Sequence, residues 1–385
     1  MGHAVDSFAA DNLPSKDLWP EMDYSHPAYQ VPERLNCVSA FLDRWIAEDA
    51  GDRRCIVTPE GTWSYRDLFE KVNQLANLLV GEMGLVPGNR VLLRAPNSPM
   101  MVVGYLAVIK AGGVAVGTMP MLRASELKPI IEKAAISHAL CDLRLKDEMA
   151  LAAQDCPGLI QLAYFHDDSA DGVETRMAGQ PTEFAPYDSA ADECCLIAFT
   201  SGTTGVPKGT MHFHRDLLAI CQGFSQQILQ PTADDLFCGS PPIAFTFGLG
   251  GLVLFPMFVG AATLLLEAAA PPQLLEAIET YRTTIVFTAP TAYRAMMTEM
   301  EGRDISSLRK AVSAGEHLPE VTWHEFKAAT GISLIDGIGA TEMLHIFISA
   351  REEDIRPGAT GLPVPGYAVR IIGEDGTDVP VGEVG

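Results

Sequence analysis

The chain has 385 residues, with 27 Lys+Arg against 49 Asp+Glu, a formal net charge of −22, 48% hydrophobic and 20% charged residues. The apolar content excludes a disordered chain, and the length allows two or three domains or one large domain built of subdomains. A surface this acidic repels nucleic acid and anionic lipid, and no Lys/Arg run exceeds two residues, so nucleic acid is not expected as a partner and any polyanionic ligand must be held by local amides, a lysine and a metal.

Residues 1–36 are polar and contain prolines, which predicts a segment wrapping the surface. They hold no apolar run of signal-peptide length, and Asp6 stands where N-myristoylation needs Ser or Thr. Cys37, Phe41, Leu42, Trp45 and Ile46 then repeat at helical spacing. Cys55-Ile56-Val57 and Thr62-Trp63 read as a hairpin about Glu60-Gly61. Ser64 and Asp67 have capping-box spacing and open a helix with Leu68, Val72, Leu75, Leu78 and Leu79 on one face, closed by Gly84. A strand at Val91–Leu93 leads through a loop with Pro96 and Pro99 into a helix from Met101 to Ala111, then Gly112-Gly113 and a strand Val114–Val116.

The same grammar returns further on. Leu236–Leu266 carries no charge and is long enough to cross a bilayer, but Pro241, Pro242, Gly248, Gly250, Gly251, Pro256 and Gly260 break it. Strand, loop, buried helix and strand is the better reading, so no membrane span is expected. Thr284–Phe287, Pro290 and a helix from Thr291 to Met300 form a third, partial copy. Apolar strands alternating with helices predict parallel sheets covered by helices. The economical arrangement is one sheet per half with a cleft between, joined near Pro181–Asp192. The tail, with Ala368–Ile372 and Glu374-Asp375-Gly376-Thr377, reads as antiparallel β with a tight turn, and it stops in mid-hairpin.

Eight cysteines without a C-x-x-C pair read as buried free thiols in a reducing compartment. His212 and His214 share one face of a predicted strand, but no third ligand is evident, so a metal is not expected there.

The most informative stretch runs from Leu196 to Gly209: an apolar strand enters a loop with three glycines, four hydroxyls and Lys208. Glycines let successive backbone amides approach an anion, hydroxyls add donors, and the lysine adds a point charge. This is the chemistry of a phosphate cradle, although neither the Walker A nor the G-x-G-x-x-G spacing is present. A plain Ser/Thr/Gly surface loop is the alternative, and the preceding strand and terminal Pro207-Lys208-Gly209 argue against it.

The sequence TSGTTGVPKG resembles the signature loop of the adenylate-forming superfamily, which includes acyl- and aryl-CoA synthetases, peptide-synthetase adenylation domains and luciferases. Pro242–Gly250, Ser313–Glu316 and Asp336–Phe347 resemble the family's acid-pocket, adenine-side and magnesium-glutamate segments, in the family's order. With Phe245 and Ile338 where many relatives have His and Tyr, the chain most resembles benzoate- and 2-aminobenzoate-CoA ligases. The resemblance implies an α/β fold: two helix-flanked, mostly parallel sheets packed together, plus a small distorted β-barrel. It implies a first subdomain over about 1–185, a second with the nucleotide site over about 186–355, and the start of the barrel over about 356–385. The family's mobile C-terminal domain is not in the sequence, so this chain is expected to be poorly active alone.

The implied reaction is adenylation of an aromatic carboxylic acid by ATP with Mg²⁺, releasing pyrophosphate, then thioester formation with coenzyme A. No protein nucleophile is needed, so alignment and charge stabilisation carry the catalysis. By the resemblance, Thr200, Ser201, Gly202, Thr203, Thr204, Gly205 and Lys208 hold the β- and γ-phosphates. Thr341 bonds the α-phosphate, Glu342 holds Mg²⁺, and Gly315, Glu316, Asp336, Gly337 and Ile338 line the adenine. Phe245, Thr246, Phe247, Ala314, Gly339, His345 and Ile346 form the acid pocket. Alone, Glu342 also reads as a solvated carboxylate, and Phe245 and Phe247 as core. His345 could bond the carboxylate or an ortho substituent, or be a structural histidine. A cytoplasmic enzyme is implied, with a homodimer compatible. The alternatives are a carrier-protein-loading or fatty acyl-CoA ligase, or a nucleotide-binding module without catalysis.

Overall fold

The fold comes from a computed structural model, which describes residues 4–200 and 207–385. In chain order the strands are β1 (Arg54–Thr58), β2 (Gly61–Ser64), β3 (Arg90–Arg94), β4 (Val114–Thr118), β5 (His138–Asp142), β6 (Gln161–Phe165), β7 (Cys194–Thr200), β8 (Lys208–Phe213), β9 (Leu236–Gly239), β10 (Ala262–Leu264), β11 (Ile285–Thr288), β12 (Lys310–Ala314), β13 (Leu334–Gly339), β14 (Ile346–Ser349) and β15 (Leu362–Pro363). One sheet has the order β6-β5-β3-β4-β7-β8 and the other β15-β14-β13-β12-β11-β9-β10-β1-β2. The first is parallel except for β8; in the second, β1 and β9–β13 are parallel and β2, β14 and β15 antiparallel. The α/β alternation read from the sequence is thus the architecture.

Local signals explain the elements. Ser64 accepts from the Asp67 amide while Asp67 accepts from the Ser64 amide, and this reciprocal cap starts the helix Tyr65–Gly81. Its apolar face, including Leu68, Val72, Leu75, Leu78 and Leu79, is buried. The helix ends at Gly81, and Gly84, with φ +72°, turns the chain just beyond it. The helix Pro99–Lys110 has Pro at its first turn and is buried on every side, as a helix without a polar face must be. The uncharged stretch is wound as consecutive helical segments from Thr246 to Val259, buried from Gly248 to Phe258. Among the described residues, no helix is long and apolar enough to cross a membrane.

The strands are not shared out one sheet per half. The early hairpin β1–β2 joins the second sheet, where β1 lies parallel to β10 and covers its edge. The later hairpin β7–β8 joins the first sheet through β4. Pairing each hairpin with an exposed strand edge satisfies amides that the local pattern of either half leaves free. The chain therefore passes between the sheets twice, and the phosphate-loop hairpin rises from one sheet beside a cavity built by the other. In the tail, β15 pairs with β14 and Ile372 bridges Asp378 in the antiparallel sense.

Candidate active site

Parallel strands gather ligands at their carboxyl ends, because the loops leaving them converge there. In the second sheet those ends supply Ser240 after β9, Ala289 after β11, Ala314 at the end of β12 and Gly339 at the end of β13. They line a cavity of about 430 Å³, a size suited to a small organic ligand. The seven acid-pocket residues, Phe245, Thr246, Phe247, Ala314, Gly339, His345 and Ile346, all reach it, as do Gly315, Glu316 and Thr341. Ser240, Pro241 and Ala289 also line it and lie outside the segments the sequence pointed to, while Pro242 and Ala340 lie inside them without having been named as site residues. Asp336, Gly337, Ile338, Glu342, Thr200 and Lys208 do not.

The segment that carries Phe245 is held from the other sheet. Asn97, in the loop after β3, donates through Nδ2 to the Pro241 carbonyl at 3.0 Å and accepts the Ile243 amide on Oδ1 at 2.8 Å. The Tyr105 hydroxyl donates to the Ile243 carbonyl at 3.3 Å. A hydrogen bond of 2.5 Å joins the Ser240 and Thr288 hydroxyls. Asn97 is buried and lies in a proline-bounded loop, and only the fold shows that this loop faces Pro241.

His345 is packed among rings. Its centroid lies 5.6 Å from that of Phe224, 5.4 Å from Phe247, 4.6 Å from Phe255 and 6.4 Å from Phe287. Gly250 permits this closeness, since a Cβ there would stand 2.4 Å from His345 Cδ2. Burial lowers the His345 pKa to about 3, against the opposing pull of the Phe247 carbonyl. The ring is therefore neutral near pH 7. Nε2 lies 3.3 Å from the Phe247 carbonyl and must be the protonated nitrogen. Nδ1 is then an acceptor, buried and without a partner among the described residues. An acceptor cannot bond a carboxylate, so of the open readings for His345 this one loses its support.

Thr341–Met343 form a single turn after β13. His212, on β8, donates from Nε2 to the Thr341 carbonyl at 2.8 Å. This bond ties the far strand of the phosphate hairpin to the turn bearing Thr341 and Glu342, and no local pattern signals it. Glu342 is exposed and has no ion-pair partner among the described residues. One free hard-oxygen carboxylate suits Mg²⁺, which keeps several waters and takes one or two carboxylates beside substrate phosphates.

Thr200 and Lys208 are register partners at the mouth of the β7–β8 hairpin. Lys208 is exposed. The Lys133 ammonium donates to the Pro207 carbonyl at 2.8 Å and anchors the exit of the loop. Ser201, Gly202, Thr203, Thr204 and Gly205 lie outside the described residues. On β13, Gly337 leaves room for Ile346, whose Cδ1 would be 2.6 Å from a Cβ. Asp336 abuts a separate small cleft with His317 and Thr360, and burial raises its carboxyl above the ordinary value.

His212 and His214 separate. His214 leaves the strand face to open the helix His214–Ile220 and meets Cys37 and Cys195, which the linear pattern could not bring to it. All eight cysteines are free, and seven are buried. Burial pushes the thiols of Cys141, Cys194 and Cys238 up to about 12.

Residues 42–385 match the AMP-binding enzyme family. The benzoate–CoA ligase of Thauera aromatica is 31% identical over 92% of this chain and 68% of its own length. The anthranilate–CoA ligase of Pseudomonas aeruginosa is 34% identical over 80% of this chain and 58% of its own. Against those two the chain spans about three-fifths to two-thirds of the relative's length. Among solved structures, the anthranilate CoA ligase AuaEII in complex with anthranoyl-AMP superposes with a TM-score of 0.87 at 32% identity, covering 92% of this chain and 68% of that one. A benzoate CoA ligase from Burkholderia xenovorans LB400 gives 0.82 at 26% identity, covering 90% and 69%. The signature loop, the paired sheets and the cavity at the strand ends agree with the extent of these matches, and the chain belongs to the AMP-binding enzyme family.

Proposed function

We propose that this chain carries the nucleotide and acid sites of an AMP-forming aryl-CoA ligase. In the first half-reaction the substrate carboxylate attacks the α-phosphorus of ATP and expels pyrophosphate, leaving acyl-AMP. In the second the coenzyme A thiol, losing its proton, attacks the acyl carbon and expels AMP. The observation that carries the reading is the single cavity in which two phenylalanines and small residues meet Thr341, beside the hairpin that ends in Lys208. The flat apolar walls fit an aromatic ring better than a long acyl chain. Thr200 and Lys208 would hold the outer phosphates, Thr341 the α-phosphate, and Glu342 the Mg²⁺ that screens their charge. Gly315 and Glu316 would face the adenine. The buried free thiols fit a reducing, cytoplasmic setting.

The neutral His345 narrows the acid. Its Nδ1 is a buried acceptor without a partner among the described residues, and we propose that a slight turn of the ring offers it to an N–H or O–H donor on the acid, favouring a 2-amino- or 2-hydroxybenzoate over benzoate itself. Acid-dependent exchange of labelled pyrophosphate into ATP tests both levels. We expect exchange with aromatic acids, and a preference of about tenfold for 2-aminobenzoate over benzoate, the worth of one hydrogen bond to a buried group. His345→Leu should reduce that preference to about twofold. Exchange driven by fatty acids alone would overturn the aryl reading; a preference unchanged in the variant would overturn the role of His345 only.

A further inference from the structure

We propose that Cys37, Cys195 and His214 form a binding site for one divalent thiophilic metal ion of the zinc class. The site lies at the root of the β7–β8 hairpin and apart from the cavity described above. Two sulfurs and a ring nitrogen, from segments far apart in sequence, all lie within 4.8 Å of one another. The Cys37 Sγ is 3.3 Å from His214 Nδ1. Tetrahedral zinc with two thiolates and an imidazole places its donors about 3.6–3.8 Å apart, from the usual bond lengths. Closing on an ion would draw the three donors together, free Nδ1 from the Cys37 amide and leave one tetrahedral position to a small exogenous ligand.

Three features make this more than cysteines in a core. First, His214 Nδ1 is the unprotonated ring nitrogen, because it accepts the Cys37 amide at 3.2 Å, a bond that an ion would displace. The ring hydrogen is therefore on Nε2, which is the tautomer a metal needs. Second, β7 breaks register with β8 between Cys194 and Leu196. Cys195 sits in that bulge, and an extra strand residue of this kind re-aims a side chain. Third, the cluster is dry: both cysteines are fully buried and His214 is 2% exposed. Two thiolates with a divalent ion are neutral overall, which a dry site tolerates; a monovalent ion would leave a net negative charge. The soft donor set selects against Mg²⁺ and Ca²⁺.

Such an ion would join the end of the N-terminal segment, the strand that leads to Thr200 and the helix that follows β8. It would stiffen the base of the hairpin without touching substrate. Binding takes both sulfurs as thiolates.

The test is reconstitution of the reduced wild-type chain with Zn²⁺ or Co²⁺, followed by desalting and elemental analysis. We expect one ion per chain and, with Co²⁺, a thiolate-to-metal absorption band of tetrahedral intensity. Cys37→Ser and Cys195→Ser should reduce the metal to background, while Cys194→Ser should retain it. The cobalt spectrum of the wild type keeps the proposal testable if the serine variants do not fold. Folded, reduced wild type without stoichiometric metal, or with the ion retained in both serine variants, would overturn it. So would a disulfide between Cys37 and Cys195 in protein purified with reductant.

Discussion

His345 shows how one side chain can be given a chemical state by its surroundings. Four phenylalanine rings remove water from it, so its pKa falls to about 3. The unfolded chain binds a proton near pH 6.5 that the folded one refuses. Stability is therefore complete above that value and falls as the pH drops toward 3. The stability difference between wild type and His345→Gln should shift against the wild type by ~2 kcal/mol between pH 7 and pH 5, by the same linkage. Urea unfolding at the two pH values measures it, and parallel curves would show that His345 is not desolvated. His212 acts at the same scale by position. Losing its bond to the Thr341 carbonyl in His212→Phe should lower kcat about tenfold with little change in acid KM. His212→Gln, which keeps an N–H donor, should recover much of the loss. Equal kcat in the Phe variant would remove His212 from the positioning of Thr341.

At the scale of elements, the hairpin β7–β8 presents Thr200 and Lys208 side by side and is braced by Lys133. Lys208 is exposed, so its removal costs little stability but takes a point charge from the phosphates. Lys208→Ala should slow pyrophosphate exchange by about 10²-fold, a typical loss for one electrostatic contact. Binding of the aromatic acid, followed by calorimetry, should change by less than about twofold on the same argument. A variant with wild-type exchange would take Lys208 out of the cradle. The helix Tyr65–Gly81 contrasts with this, because its reciprocal Ser64–Asp67 cap is wholly local and was readable from spacing.

For the whole molecule, the decisive feature is that the two sheets share the site. Asn97 leaves the first sheet and holds the Pro241–Ile243 backbone of the second through both ends of its amide. Arg144, beside the buried Asp142 of β5, similarly reaches Glu267 beyond β10 at 2.7 Å, although that pair is about half exposed and adds little. Asn97→Ala leaves a buried carbonyl and amide unpaired, which should cost about 1–3 kcal/mol in denaturant unfolding. It should also raise the KM for the aromatic acid more than that for ATP, because Phe245 and Phe247 lose their support. Unchanged stability and KM would mean that water replaces the amide without loss.

The strand–helix alternation, the capping box and the run from Leu196 to Gly209 were legible because each depends on residues a few positions apart, where period and turn chemistry act directly. By themselves they determined the α/β class and the family; the pocket residues were read from the resemblance, and only the fold shows which of them line one cavity. Which sheet each hairpin joins was not legible, since β1 could cover any free edge and only the space beside β10 selected it. Nor was the protonation of His345, the grip of Asn97 on Pro241 or the meeting of His214 with two cysteines. Those were decided by tertiary structure, because desolvation and long-range hydrogen bonds depend on neighbours that the order of the residues along the chain does not specify.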